Sequence, residues 1–208
     1  MVIPVRSHGW SGKPPAGADE ARARILAATR ARLSESGSTS TAEVAELLGI
    51  TRQTVYRYFP STEDLLNAAA MDAIAELENQ LIKHVIDHRA RTDADAADAV
   101  VEVVAYVYEH LRDDAALKRL VAPGRISSTV AGLTAPSSIA LGRTWLAAVP
   151  VDLDAIGLSE RDQAELVEVL LRNLQSLVLD PGDPARSGDD VRAYLRRWVA
   201  PALRSERK

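Results

Sequence analysis

The chain has 208 residues, 47% hydrophobic and 26% charged, with a net charge of −4 and no cysteine. That length suits one large or two small domains around a buried core, and the composition excludes disorder throughout. No apolar run approaches the ~20 residues of a membrane helix, and without cysteine there are no disulfides, thiolate metal sites or cysteine nucleophiles. Met1–Ala18 has no apolar core of the secretory kind, so the expected address is cytoplasmic, with no membrane partner.

The acidity is unevenly spread. Residues 1–60 hold Arg6, Lys13, Arg22, Arg24, Arg30, Arg32, Arg52 and Arg57 against Asp19, Glu20, Glu35, Glu43 and Glu46, a net +3 that leaves −7 on the remainder. A basic head on an acidic body fits a nucleic-acid reader with a separate second domain.

In chain order, residues 1–18 carry Pro4, Gly9, Gly12, Pro14, Pro15 and Gly17 without periodicity and are expected to form a flexible arm. Ile25, Leu26, Thr29 and Leu33 then mark a helix that stops at Gly37. Ser40-Thr41-Ala42-Glu43 is a capping box opening a short helix through Leu48. Gly49 ends it, and Thr51 caps the next helix, Arg52–Tyr58. After Pro60, Ser61-Thr62-Glu63-Asp64 starts a long helix to about Ala90.

Helical spacing continues over Ala96–Arg112, Ala115–Val121, Ser137–Val149, Glu160–Leu179 (capped by Ser159) and Asp190–Arg204, with Ala122–Pro136 the least regular stretch. Alternating strand patterns do not persist, so the expected fold is all-α. The expected division is an arm over 1–18, a DNA-binding head over 19–66 and a body over 67–208.

The two short helices around Gly49-Ile50-Thr51 are spaced as a helix-turn-helix, with apolar Val44, Leu47, Leu48, Ile50 and Val55 to lock the pair. The second helix then offers Arg52, Gln53, Thr54, Tyr56, Arg57 and Tyr58 outward. Arg and Gln suit bidentate contacts to guanine and adenine edges, while Tyr and Thr hydroxyls suit phosphate oxygens. On spacing alone, a helical hairpin with a solvated polar face fits equally well.

Val44-Ala45, then Leu48-Gly49-Ile50-Thr51-Arg52-Gln53-Thr54-Val55-Tyr56-Arg57-Tyr58-Phe59, then Glu63-Asp64-Leu65-Leu66, resembles the signature of the tetracycline-repressor-like (TetR) family. Ile25-Leu26-Ala27-Ala28 and Gly37 fit that family's first helix, so the resemblance covers about residues 20–70. It implies a homodimeric transcriptional regulator, usually a repressor released from its operator by a small ligand. It further implies that Arg52, Gln53 and Thr54 face bases or nearby phosphates. Thr51, Tyr56 and Tyr58 would be backbone contacts, joined by Ser40 or Thr41. The chain departs from the pattern at Thr62, where the family usually has lysine; a hydroxyl there can bind phosphate without charge. It departs again in the link from Gly37 to Val44, about two residues short, which implies a different seating of the first helix.

Elsewhere the signals are weaker. His84 and His88 stand at i, i+4 with Asp87 beside them, but two histidines and one carboxylate fall short of a metal site, so no metal and no cofactor is expected. No nucleophile, base and orienter set suggests an enzyme. Tyr106, His110, Arg143 and Trp145 are the polar and aromatic candidates to shape a ligand pocket, against ordinary packing with polar tips reaching solvent. Asn173 falls between Leu166, Leu170 and Leu177 on an apolar face, so its amide needs a ligand, a partner copy or a local carbonyl. Leu166, Leu170, Leu174, Val178, Leu195 and Trp198 are the expected dimer contacts, because the Glu160–Leu179 helix is apolar over more than half its circumference.

The expectation is thus a regulator partnered by a double-stranded DNA operator, a small-molecule effector and its own copy. The alternatives are a DNA-binding dimer without a ligand and a helical enzyme.

Overall fold

The computed structural model describes residues 9–92, 95–121, 135–148, 153 and 157–204. Every regular element in them is helical, in the order α1 (Ala18–Ser36), α2 (Thr41–Leu47), α3 (Arg52–Tyr58), α4 (Thr62–Arg91), α5 (Ala96–Asp113), α6 (Ala115–Val121), α7 (Pro136–Ala148), α8 (Glu160–Leu179), α9 (Gly188–Trp198) and α10 (Ala200–Arg204). The expected arm residues 1–8, the irregular stretch 122–134 and the helix end at 149–150 lie outside the described residues.

The chain divides into two compact units, Met1–Ala73 and Ile74–Lys208. The division falls within α4, after Ala73, whereas the boundary expected from the sequence stands at 66/67.

The first unit is built on a cluster of Ile25, Leu26 and Ala28 from α1, Val44 and Ala45 from α2, Val55 from α3, Phe59, and Leu65 and Ala69 from α4. Leu48 and Ile50 pack against it. Leu47, expected to help lock the pair, is instead 51% exposed: buried Val44 and Ala45 and half-buried Leu48 take the inner face, and Leu47 is turned away from them.

In the second unit α5 is central, its buried positions from Ala97 to Leu111 apolar except for Glu102 and the Tyr108 hydroxyl, and it is covered by α6, α8, α9 and α10. Buried Tyr108 donates its hydroxyl to the Arg186 carbonyl at 2.8 Å, tying the α8–α9 link to α5. Gly142 lets α7 approach α8 closely, since a Cβ there would stand 2.6 Å from Val167 Cγ1.

The single terminal helix expected over Asp190–Arg204 is two helices, α9 and α10, broken at Val199. Pro201 has no N–H for the Arg197 carbonyl, and its ring crowds that oxygen, so the α9 ladder cannot continue through it.

Candidate nucleic-acid interface

The two short head helices hold their shape through their caps, being too short to persist alone. Ser40 accepts from the Glu43 N–H at 3.3 Å, while Glu43 Oε2 accepts from the Ser40 N–H at 2.8 Å, a reciprocal box at the start of α2. Gly49, at φ 64°, turns the chain out of α2 in the left-handed region that only glycine enters freely. Thr51 then accepts from the Thr54 N–H at 3.1 Å and caps α3. Val55, fully buried, anchors α3 to the core from its inner side.

The outer side of α3 is what remains. Thr51, Arg52, Gln53, Tyr56 and Arg57 are exposed. Thr54 is half-buried, its hydroxyl 2.9 Å from that of Thr51, so these two hydroxyls hold one another. Tyr58 is half-buried with the Arg57 guanidinium 5.3 Å over its ring. Behind it, Arg22 stacks 4.4 Å from the Phe59 ring centroid and donates to the Tyr58 carbonyl at 3.2 Å, fixing the end of α3 from α1. A cluster of long, unburied hydrogen-bonding side chains on a helix anchored from behind can enter a major groove without first reorganising.

The remaining candidates divide. Ser40 is half-buried and its hydroxyl is used within the capping box. Thr41 is 3% exposed, so its side chain cannot reach a phosphate; the apolar packing beneath the start of α2 takes it inward. Ser61, by accepting from the Asp64 N–H at 3.0 Å, starts α4, and Thr62 stands half-exposed in its first turn.

Residues 25–69 match the model of the bacterial regulatory proteins, tetR family. The head belongs to the tetR family. The fold of the chain is shared by the repressor AlkX from Dietzia sp., implicated in biodegradation of n-alkanes, at 19% identity and TM-score 0.58, covering 90% of this chain and 97% of that one. A TetR/AcrR-family transcriptional regulator from Thermobifida fusca is similar at 19% identity and TM-score 0.56, with coverages of 90% and 99%. RolR, solved with resorcinol, is similar at 20% identity and TM-score 0.53, with coverages of 91% and 96%. No curated protein sequence matches the chain.

The body candidates fall into separate groups. Tyr106 and His110, both half-buried on α5, lie with tilted rings 4.1 Å apart between centroids, and His84 of α4 lies tilted on Tyr106 at 4.3 Å. His110 Nδ1 donates to the Tyr106 carbonyl at 2.8 Å. Burial, with the nearby Glu109 carboxylate, pushes the Tyr106 phenol up from its ordinary range. His84 Nε2 lies 2.7 Å from Glu102 Oε1, a carboxylate only 2% exposed that the sequence reading did not single out. Arg143 and Trp145 lie on α7, where the buried Arg143 Nε and Trp145 Nε1 have no hydrogen-bond partner among the described residues.

Asn173, expected at the centre of an apolar face, is half-buried. It satisfies itself by donating to the Val169 carbonyl at 2.8 Å and accepting from the Tyr194 hydroxyl at 3.3 Å. Of the expected dimer contacts, Leu170 and Leu174 are each 5% exposed and Leu195 is fully buried, all within their own chain. They serve the body's core, which needs the apolar width of α8. Leu166 and Val178 are half-buried, and Trp198 is 68% exposed.

Proposed function

We propose that the protein is a ligand-responsive, DNA-binding transcriptional regulator that acts in the cytoplasm as a homodimer, repressing from a palindromic operator until a small molecule releases it. The observation that carries this reading is the exposed Arg52–Gln53–Tyr56–Arg57 face of α3, on a helix capped by Thr51 and anchored by Val55 within a tetR-family head. In it, Arg52 and Gln53 read base edges. Thr51, Thr54, Tyr56, Arg57 and Tyr58 hold phosphates, with Ser40 and Thr62 at the flanks.

The body, residues 67–208 in this reading, takes the effector and the second copy. Arg143 Nε and Trp145 Nε1, buried donors without a partner among the described residues, favour an effector with acceptor oxygens, because a buried donor left unpaired is unfavourable. Effector binding selects one arrangement of the two heads, and two recognition helices must stand about one DNA turn apart, ~34–36 Å, to bind together.

Selection of bound duplexes from random DNA tests the reading. A palindromic consensus bound steeply more weakly as salt rises is the expected result. Affinity for the best selected duplex no higher than for a scrambled one would overturn it.

A further inference from the structure

Just before α1 the backbone makes a turn that composition does not foretell. Trp10, Ser11 and Gly12 stand consecutively in the left-handed region, at φ 68°, 53° and 81°, and the Lys13 N–H closes the turn on the Trp10 carbonyl at 3.1 Å. Residues with a Cβ disfavour that region, so two of them in succession persist only where surrounding contacts hold them.

Those contacts are visible. The Trp10 side chain packs, half-buried, against the head core. Gly9 lies so close to the helix-turn-helix loop that a Cβ on it would stand 3.3 Å from both the Gly49 carbonyl oxygen and Ile50 Cγ2. Ser11 N is 3.7 Å from where a Gly49 Cβ would be, and Arg24 Nη1 donates to the Lys13 carbonyl. Pro14 and Pro15 then restrict the link to α1. The turn is therefore seated on Gly49–Ile50, the two residues that lead directly into Thr51 and Arg52, and it leaves Ser11, Gly12 and Lys13 exposed.

We propose that this turn is a second DNA-contacting element of the head, which sets the Lys13 ammonium against a backbone phosphate beside the groove that α3 enters. The inference rests on the DNA-binding reading above. A lysine held there contributes a point charge to the phosphodiester chain and carries no sequence information, so it adds to affinity on any duplex and releases about one counterion per head. The left-handed turn restricts where the backbone before that ammonium can go, which lowers the ordering needed on binding.

The test measures affinity across a series of salt concentrations for wild type, Lys13→Ala, Lys13→Arg and Trp10→Ala, on a duplex selected with the wild type and on a scrambled one. Lys13→Ala is expected to bind ~3–10-fold more weakly on both duplexes, with the slope of log K against log salt reduced by about 0.9 per head. Lys13→Arg restores the slope. Trp10→Ala loses the same slope although Lys13 is present, because the turn is no longer seated; circular dichroism checks that it remains folded. Should it unfold, the Lys13 variants still decide the matter. If the wild type does not prefer the selected duplex, the DNA-binding reading falls and takes the inference with it. If the wild type binds specifically while Lys13→Ala, or a folded Trp10→Ala, keeps the full slope, the inference alone is overturned.

Discussion

Arg192 grips the buried carboxylate of Glu102 with two nitrogens, Nε at 2.8 Å from Oε2 and Nη2 at 2.7 Å from Oε1. The two residues stand on α9 and α5, and His84 of α4 completes the set at 2.7 Å from Oε1. A carboxylate 2% exposed is tolerable only because both its oxygens are paired. Arg192→Leu leaves that charge without its guanidinium and is expected to destabilise the body by ~3–5 kcal/mol, read as a lower urea midpoint with an unchanged slope.

The same carboxylate sets an acid limit. Burial pushes Glu102 up, but the hydrogen bonds from Arg192 and His84 outweigh it and bring its pKa from 4.5 down to about 2. A folded-state pKa below the unfolded one contributes stability that is present above about 4.5 and is lost as pH falls toward 2. Equilibrium unfolding between pH 5 and pH 2 should therefore show falling stability, by up to ~3 kcal/mol from this group. Glu102→Gln, less stable at neutral pH, should show a flatter profile over that window; an unchanged slope would exclude Glu102 as the source.

Gly142 and Val167 are a fitted pair. A Cβ at Gly142 would stand 2.6 Å from Cγ1 of Val167, a side chain 3% exposed and stiff about χ1. Gly142→Ala is expected to destabilise by ~1–3 kcal/mol through overpacking. Adding Val167→Ala should recover part of that loss, and a double-mutant cycle should give a coupling of ~0.5 kcal/mol or more.

On the recognition helix, Arg52→Ala and Gln53→Ala should each weaken binding to the selected duplex by ~1–3 kcal/mol and relax preference at one base position. Tyr56→Phe should weaken selected and scrambled duplexes alike, since a phosphate contact carries no sequence. Equal losses on both duplexes for all three variants would remove the distinction between base and phosphate roles.

Trp198 is the exposed anchor of the proposed dimer, at 68% exposure on the last turn of α9. Trp198→Glu should give sedimenting monomers with unchanged helicity and weak operator binding, because a large exposed aromatic is where a partner gains most. Leu174→Glu should instead unfold the body, since that side chain is already in its core. Wild-type monomer at micromolar concentration would refute the dimer.

Much of the helical skeleton is legible locally. Ser40, Thr51, Ser159 and Ser187 each cap through a backbone N–H three residues on, and three of these caps were readable as sequence patterns. Gly37, at φ 72°, closes α1 where the apolar stripe ends. The exposure of Arg52, Gln53, Tyr56 and Arg57 follows from the same 3.6-residue period that turns Val55 inward. The break that Pro201 makes between α9 and α10, and the Ser187 cap that starts α9 two residues before the expected Asp190, are local in the same way.

What periodicity could not reach was the choice among apolar and polar positions that a helix offers equally. Thr41 goes in and Leu47 stays out because of what α1 and α4 place beneath α2. Leu170, Leu174 and Leu195, expected as dimer contacts, are buried in their own chain's core. Glu102 is buried because Arg192, ninety residues away, meets it. The Trp10 turn holds its left-handed backbone because Gly49 and Ile50 lie under it. Hydrogen bonds between residues three or four apart determine caps and helix ends, and these the sequence by itself determined. Which face of each helix is covered, and which charge is paired, depends on contacts between distant segments, and only the tertiary structure decided them.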